Sequence, residues 1–229
     1  MNTKASTIDR RMRQWLGEDR PQSLGEEIAN SISHGVGFVL AVAALPVLLR
    51  TCEQHGGKAL DLLAAGVFAA TMILLYLVSA VYHALPTGRI KQLFNRIDHA
   101  AIYLFIAGSY TPFALGALRE DNGWLLCGVV WVLAMMGAGA KLLNKLSHPL
   151  LSTGLYVAMG WLAVLAAGPL LDRVSPTGLL LLLAGGAAYT LGAGVFLLDS
   201  RVRYAHFAWH LLVMGGSTCH FFAALWFAR

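Results

Sequence analysis

Residues 177–198 read TGLLLLLAGGAAYTLGAGVFLL, an apolar run without a charged side chain. A helix needs roughly 20 mostly apolar residues to cross a bilayer, and this run supplies them. A strand reading fails. Membrane barrels alternate apolar and polar residues in segments of about ten, whereas Leu179 to Ala184 is solidly apolar. Backbone polar groups in lipid must be satisfied within the segment, which leaves the helix.

Outward from this run, comparable stretches lie at 28–49, 60–85, 97–118, 123–141, 150–168 and 206–227. Together they predict seven transmembrane helices. The breaks have turn chemistry: Pro86-Thr87-Gly88 after the second run, and Asp121-Asn122-Gly123 before the fourth. Pro149 and Pro176 sit where a first-turn proline is tolerated. Pro112 is expected to kink the third helix and free a carbonyl for another partner such as Ser109. Composition agrees, because 57% of the 229 residues are hydrophobic and only 13% are charged. That is too little charge to coat a soluble domain.

The expected class is therefore an all-α, polytopic membrane protein, with one domain at 27–229 behind a polar tail at 1–26. The tail is too long and too mixed in charge for the start of a cleavable signal. Its stretch Ile8 to Leu16 reads either as an interfacial helix or as solvated chain. Cys52, Cys127 and Cys219 have no C-x-x-C spacing. The 24 glycines, many within the runs, point to close helix packing.

The net charge of +5 is explained by its distribution and calls for no nucleic acid. With a cytoplasmic N-terminus, the inside segments hold twelve of the seventeen Lys and Arg residues. These are Lys4, Arg10, Arg11, Arg13 and Arg20; Arg89, Lys91 and Arg96; Lys141 and Lys145; Arg201 and Arg203. Arg50, Lys58, Arg119, Arg173 and Arg229 fall outside. This bias follows the positive-inside rule, and an odd helix count places the C-terminus outside.

Ionisable residues in membrane segments are costly, and each is a functional candidate. Glu27, Asn30 and His34 open the first helix, and Ser79 and His83 end the second. Asp98 and His99 begin the third, and His206 and His210 begin the seventh. In an alternating bundle all of them fall in one leaflet, the cytoplasmic one. His206 and His210 are four apart and share a helical face, a spacing that can bind one metal ion. His83 adds a third ligand, giving the three-ligand pattern of catalytic zinc, with Asp98 holding water or orienting a histidine. The competing reading is a hydrogen-bonded network or a proton relay. Glu27, Asn30 and His34 form an i, i+3, i+7 stripe that lines the entrance or braces the site. His99 points about 100° from Asp98 and is the weaker candidate. His55 and His148 read as solvated loop residues, and His220 as a packing residue of the outer leaflet.

The motifs E27-x-x-N30-x-x-x-H34, S79-x-x-x-H83, D98-H99, A107-G-S-Y-T-P-F113, H206-x-x-W-H210 and G215-G-S-x-C-H220-F occur in this order. This set resembles the bacterial hemolysin III family, within the superfamily of progestin and adiponectin receptors. The resemblance covers the chain from Glu27 onward. It implies seven helices, a cytoplasmic N-terminus and zinc held by His83, His206 and His210, with Asp98 beside a water and Ser79 in the site. It does not extend to hormone binding, since no large N-terminal region is present.

The functional expectation is a zinc-dependent hydrolase of a lipid amide or ester in the plasma (inner) membrane, with a membrane lipid as substrate or ligand. The alternative is a non-enzymatic, zinc-braced regulator or sensor of the membrane. A pore ranks below both, because the chain reads as a resident multi-span protein with no soluble form to insert. So does a transporter, because few polar residues continue into the outer leaflet.

Overall fold

A computed structural model describes residues 20–227. The stretch Ile8 to Leu16 lies outside the described residues. The elements are α1 (Leu24–Gln54), α2 (Ala59–Ala84), α3 (Arg89–Leu115), α4 (Gly123–Leu142), α5 (Pro149–Gly160), a 3-10 segment (Trp161–Ala166), α6 (Ala167–Arg173), α7 (Pro176–Phe196) and α8 (Ala205–Phe227). No strand occurs among the described residues.

Local chemistry explains the starts. Ser23 and Glu26 form a reciprocal capping box at α1. Pro149 and Pro176 occupy first-turn positions, and Ser175 caps α7 by accepting from the Gly178 N–H. α3 starts at Arg89, not at 97, and stops at Leu115, not at 118. Its first turns carry Arg89, Lys91 and Arg96, so an apolar run could not register them; the helix continues where its surface is no longer apolar. Ser109 does not serve the carbonyl freed by Pro112, but donates to the Ile106 carbonyl at 2.8 Å.

The predicted run at 150–168 proves to be a broken span, α5 and α6 joined by the 3-10 segment. Pro169 cannot donate to the Leu165 carbonyl and crowds it, so a regular helix cannot run through. Tyr110 from α3 fills the gap. Its hydroxyl donates toward the carbonyls of Met159 and Gly160 at 2.9 and 2.7 Å and accepts from the Ala163 N–H at 2.8 Å. In lipid, backbone groups released by a break need such a partner.

Among the described residues, five segments are long and apolar enough to cross a membrane by length and composition: α1, α2, α4, α5–α6 and α7. α3 and α8 fall short. They carry Asp98 and His99, and His206 and His210, so the candidate site itself lowers their hydropathy. The outer surface is apolar: Leu165 is 80% exposed and Leu180 66%.

Helices α1 to α4 pack in series, α7 packs on α8, and α1 closes against α8. Phe68, Met72 and Tyr76 of α2 centre the largest core, joined by Ala41, Phe105 and Ala223. A Cβ at Gly108 would overlap the Thr71 side chain, so glycine sets the α2–α3 approach. The broken span meets α3 and α7 sparsely. Two cavities border this loose seam.

Candidate metal centre

Antiparallel neighbours bring the start of α1, the end of α2 and the starts of α3 and α8 to one end of the bundle. His83 follows Ser79 by one helical turn, and His210 follows His206 by one turn. One ligand nitrogen from each of His83, His206 and His210 lies within 4.8 Å of the others. Around a tetrahedral zinc ion such nitrogens stand about 3.3 Å apart. Small ring rotations therefore close the set on one ion.

The tautomers agree with that fit. His83 Nδ1 is 2.8 Å from Glu27 Oε2, His206 Nδ1 is 3.1 Å from Asp199 Oδ2, and His210 Nδ1 is 3.1 Å from Ser33 Oγ. A carboxylate only accepts. Ser33 has already given its proton to the Asn30 carbonyl, so it accepts too. Each Nδ1 thus carries its hydrogen, and each Nε2 is left as a bare donor of electrons for a metal. His83 Nε2 is buried without a hydrogen-bond partner, so its lone pair could serve a metal ion.

These three supports are themselves held. Lys91 Nζ lies 2.9 Å from Glu27 Oε1. Asp199 sits in the loop between α7 and α8, and this loop is fastened to the N-terminal segment. Arg20 donates to the Asp199 carbonyl at 3.2 Å and to both Glu26 oxygens at 2.6 and 3.0 Å. Glu26 also accepts from the Tyr204 N–H at 2.9 Å, where the chain turns with φ 61°.

The remaining sequence candidates fall into place around the group. His34 stacks on His210 with centroids 3.4 Å apart and planes 9° from parallel. Asn30 is fully buried and receives no solvent; its amide donates to Gln22 Oε1 at 2.5 Å. Asp98 is buried and faces the Ser79 hydroxyl. Neither belongs to the three-histidine group, but both line a cavity of about 120 Å³ with His34, His206 and His210. His99 lines the same cavity while its Nδ1 donates to the Asn95 carbonyl. His148 is half-buried, not solvated, with its Nδ1 enclosed. His220 is more than packing, since it lines this cavity and the next.

Below the polar residues the wall becomes apolar with Leu75, Ile102, Phe105 and Ile106. A second cavity of about 250 Å³ continues between α3, the broken span and α7, lined by Leu118, Leu170, Leu179 and Leu182. Sequence reasoning missed Asp199 and Ser33. Asp199 left a signal, an acidic residue next to the His206 turn in a short loop. Ser33 left none, since only geometry shows a hydroxyl meeting His210.

A family model described as Haemolysin-III related matches residues 22–221. "Hemolysin-3" of Bacillus cereus is 41% identical over 206 residues, covering 90% of this chain and 93% of the relative. "Hemolysin-3 homolog" of Bacillus subtilis is 39% identical, covering 90% and 95%. "Monocyte to macrophage differentiation factor" of Homo sapiens is 27% identical, covering 86% and 82%.

Proposed function

The chain belongs to the haemolysin-III related family, and on that footing we propose a zinc-dependent hydrolase of the plasma (inner) membrane that cleaves an amide or ester of a membrane lipid. The observation that carries this reading is a three-histidine group, each Nδ1 already occupied, of which His206 and His210 line a cavity whose far wall is apolar. His83, His206 and His210 hold the ion through Nε2. When bound, zinc supplies Lewis-acid activation of a carbonyl and of water. Asp98 takes a proton from the attacking water at its carboxylate and passes it to the leaving nitrogen or oxygen. Ser79 orients Asp98 with its one hydroxyl hydrogen in the resting site, and would turn that hydrogen to the developing oxyanion once Asp98 has taken the proton. The apolar walls receive the chain of the lipid and keep bulk water out.

The distribution of Lys and Arg supports a seven-span reading with this end of the bundle, and the N-terminus, on the cytoplasmic side. A second reading has one supporting observation: the three ligands come from α2 and α8, and α1 braces both through Glu27 and Ser33. An ion there would tie the bundle of a regulator or sensor without turnover. Purified protein assayed on lipid amides and esters separates the two. Turnover that vanishes in Asp98→Ala with metal retained supports the hydrolase. Absence of turnover on every lipid, with unfolding on loss of the histidines, supports the brace.

A further inference from the structure

The two cavities share Ser109, Tyr110, Gly160, Trp161, Gly186 and His220. They form successive stretches of one path. Along α3 the lining runs from Asp98 to Tyr110 in the first and from Ser109 to Ala114 in the second, with Leu118 just past the helix end. Along α7 it runs the opposite way, from Phe196 to Gly186 and then to Leu179. A chain with its reacting group at the histidines would pass this junction.

The junction is polar in one sense only. His220 Nδ1 lies 3.0 Å from the Gly216 carbonyl, which only accepts, so Nδ1 carries the hydrogen and Nε2 is a bare acceptor. Ser109 has given its proton to the Ile106 carbonyl and keeps only lone pairs. Tyr110 is spent on the carbonyls of Met159 and Gly160. Trp161 Nε1 donates to Thr190, and Thr190 donates to the Gly186 carbonyl. The donors are all committed, while the imidazole of His220 and the hydroxyl of Ser109 leave acceptors on the path. An acceptor in an apolar passage is costly unless a donor meets it. The space for the His220 ring is itself provided by Gly185, where a Cβ would overlap Nδ1 and Cε1.

We propose that His220 and Ser109 form a subsite for a hydrogen-bond donor carried partway along the lipid chain, a mid-chain hydroxyl. This rests on the reading of the cavity as a lipid site. Helical rise places His220 about 15 Å beyond His210 along α8. An extended chain of about ten to twelve methylenes spans that distance, so a hydroxyl near the twelfth carbon meets His220.

Displacement of a fluorescent fatty acid from detergent-purified protein tests this. The probes are stearic acid, 2-hydroxystearic acid and 12-hydroxystearic acid. The expected result is that 12-hydroxystearic acid displaces the reporter roughly 3–10-fold more tightly than stearic acid, the worth of one net hydrogen bond. 2-Hydroxystearic acid gains less. His220→Phe, which keeps an aromatic ring and removes the acceptor, is expected to erase the preference and keep stearic acid binding. Ser109→Ala, a milder change, is expected to reduce the preference. Equal binding of the three acids by the wild type, or a preference that survives His220→Phe, overturns the subsite while leaving the lipid reading in place. Failure of every acid to displace a reporter that does bind the protein overturns both.

Discussion

The two sides of the bundle are built differently. On one side α1, α2, α3 and α8 pack tightly around Phe68, Met72 and Tyr76, and they hold the three histidines at their end. On the other the broken α5–α6 span meets α3 and α7 sparsely and leaves room for two cavities. The difference teaches a division of labour. A ligand set tolerates little movement, and rigid neighbours hold it to within a fraction of an ångström. A path for a long flexible molecule needs space, and a helix broken at Pro169 and patched by Tyr110 provides it.

Substitutions can break or sharpen that contrast. The largest effect is expected from Asp98→Ala, which should lower lipid hydrolysis by about 10³-fold. Metal content should stay unchanged, because Asp98 is outside the three-histidine group. Elemental analysis of the same preparation reads the second half of that statement. In the tight half, Phe68→Ala removes a fully buried ring and should cost about 3–5 kcal/mol. Thermal unfolding in detergent checks it, and a small shift would mean that the two halves are not packed differently.

Next come the groups that hold the ligands. Asp199→Asn and Glu27→Gln should each weaken zinc binding about 10–100-fold, measured by chelator competition. Arg20→Ala acts one step further out, through the loop that presents Asp199, and should weaken it less than Asp199→Asn does. If Asp199→Asn leaves zinc affinity untouched, the fastened loop is packing alone. The smallest effect belongs to Leu165→Ala on the outer surface of the broken span. Leu165 is 80% exposed toward lipid, and stability should move by about 0.5 kcal/mol or less.

Much of this plan was legible in the sequence. Each apolar run became a helix or a pair of helices, because length and composition are enough to specify a membrane helix. His83, His206 and His210 group in the sequence by depth, since alternating helices put them at one end, and by the four-residue spacing of the last two, and the family resemblance names the same three. The broken fifth span was not foreseen. Its composition is as apolar as its neighbours', and the cost of Pro169 shows only in the backbone. α3 begins earlier than its apolar run because charged residues beyond the bilayer still suit a helix. The supports were the least visible. Ser33 lies far in sequence from the histidine it holds, and no spacing rule links them; Asp199 is close to His206 in sequence, but only the fold of the short loop shows that they meet. His220 read as packing because a path through the bundle cannot be seen one helix at a time.

The central claim is that three histidines with occupied Nδ1 atoms hold one metal ion. Elemental analysis of protein purified without added metal, beside His206→Ala/His210→Ala, tests it most directly. About one zinc per chain is expected in the wild type and almost none in the double variant. A wild-type protein that carries no metal and takes up none when zinc is supplied would contradict it, and with it both the hydrolase and the zinc-brace readings.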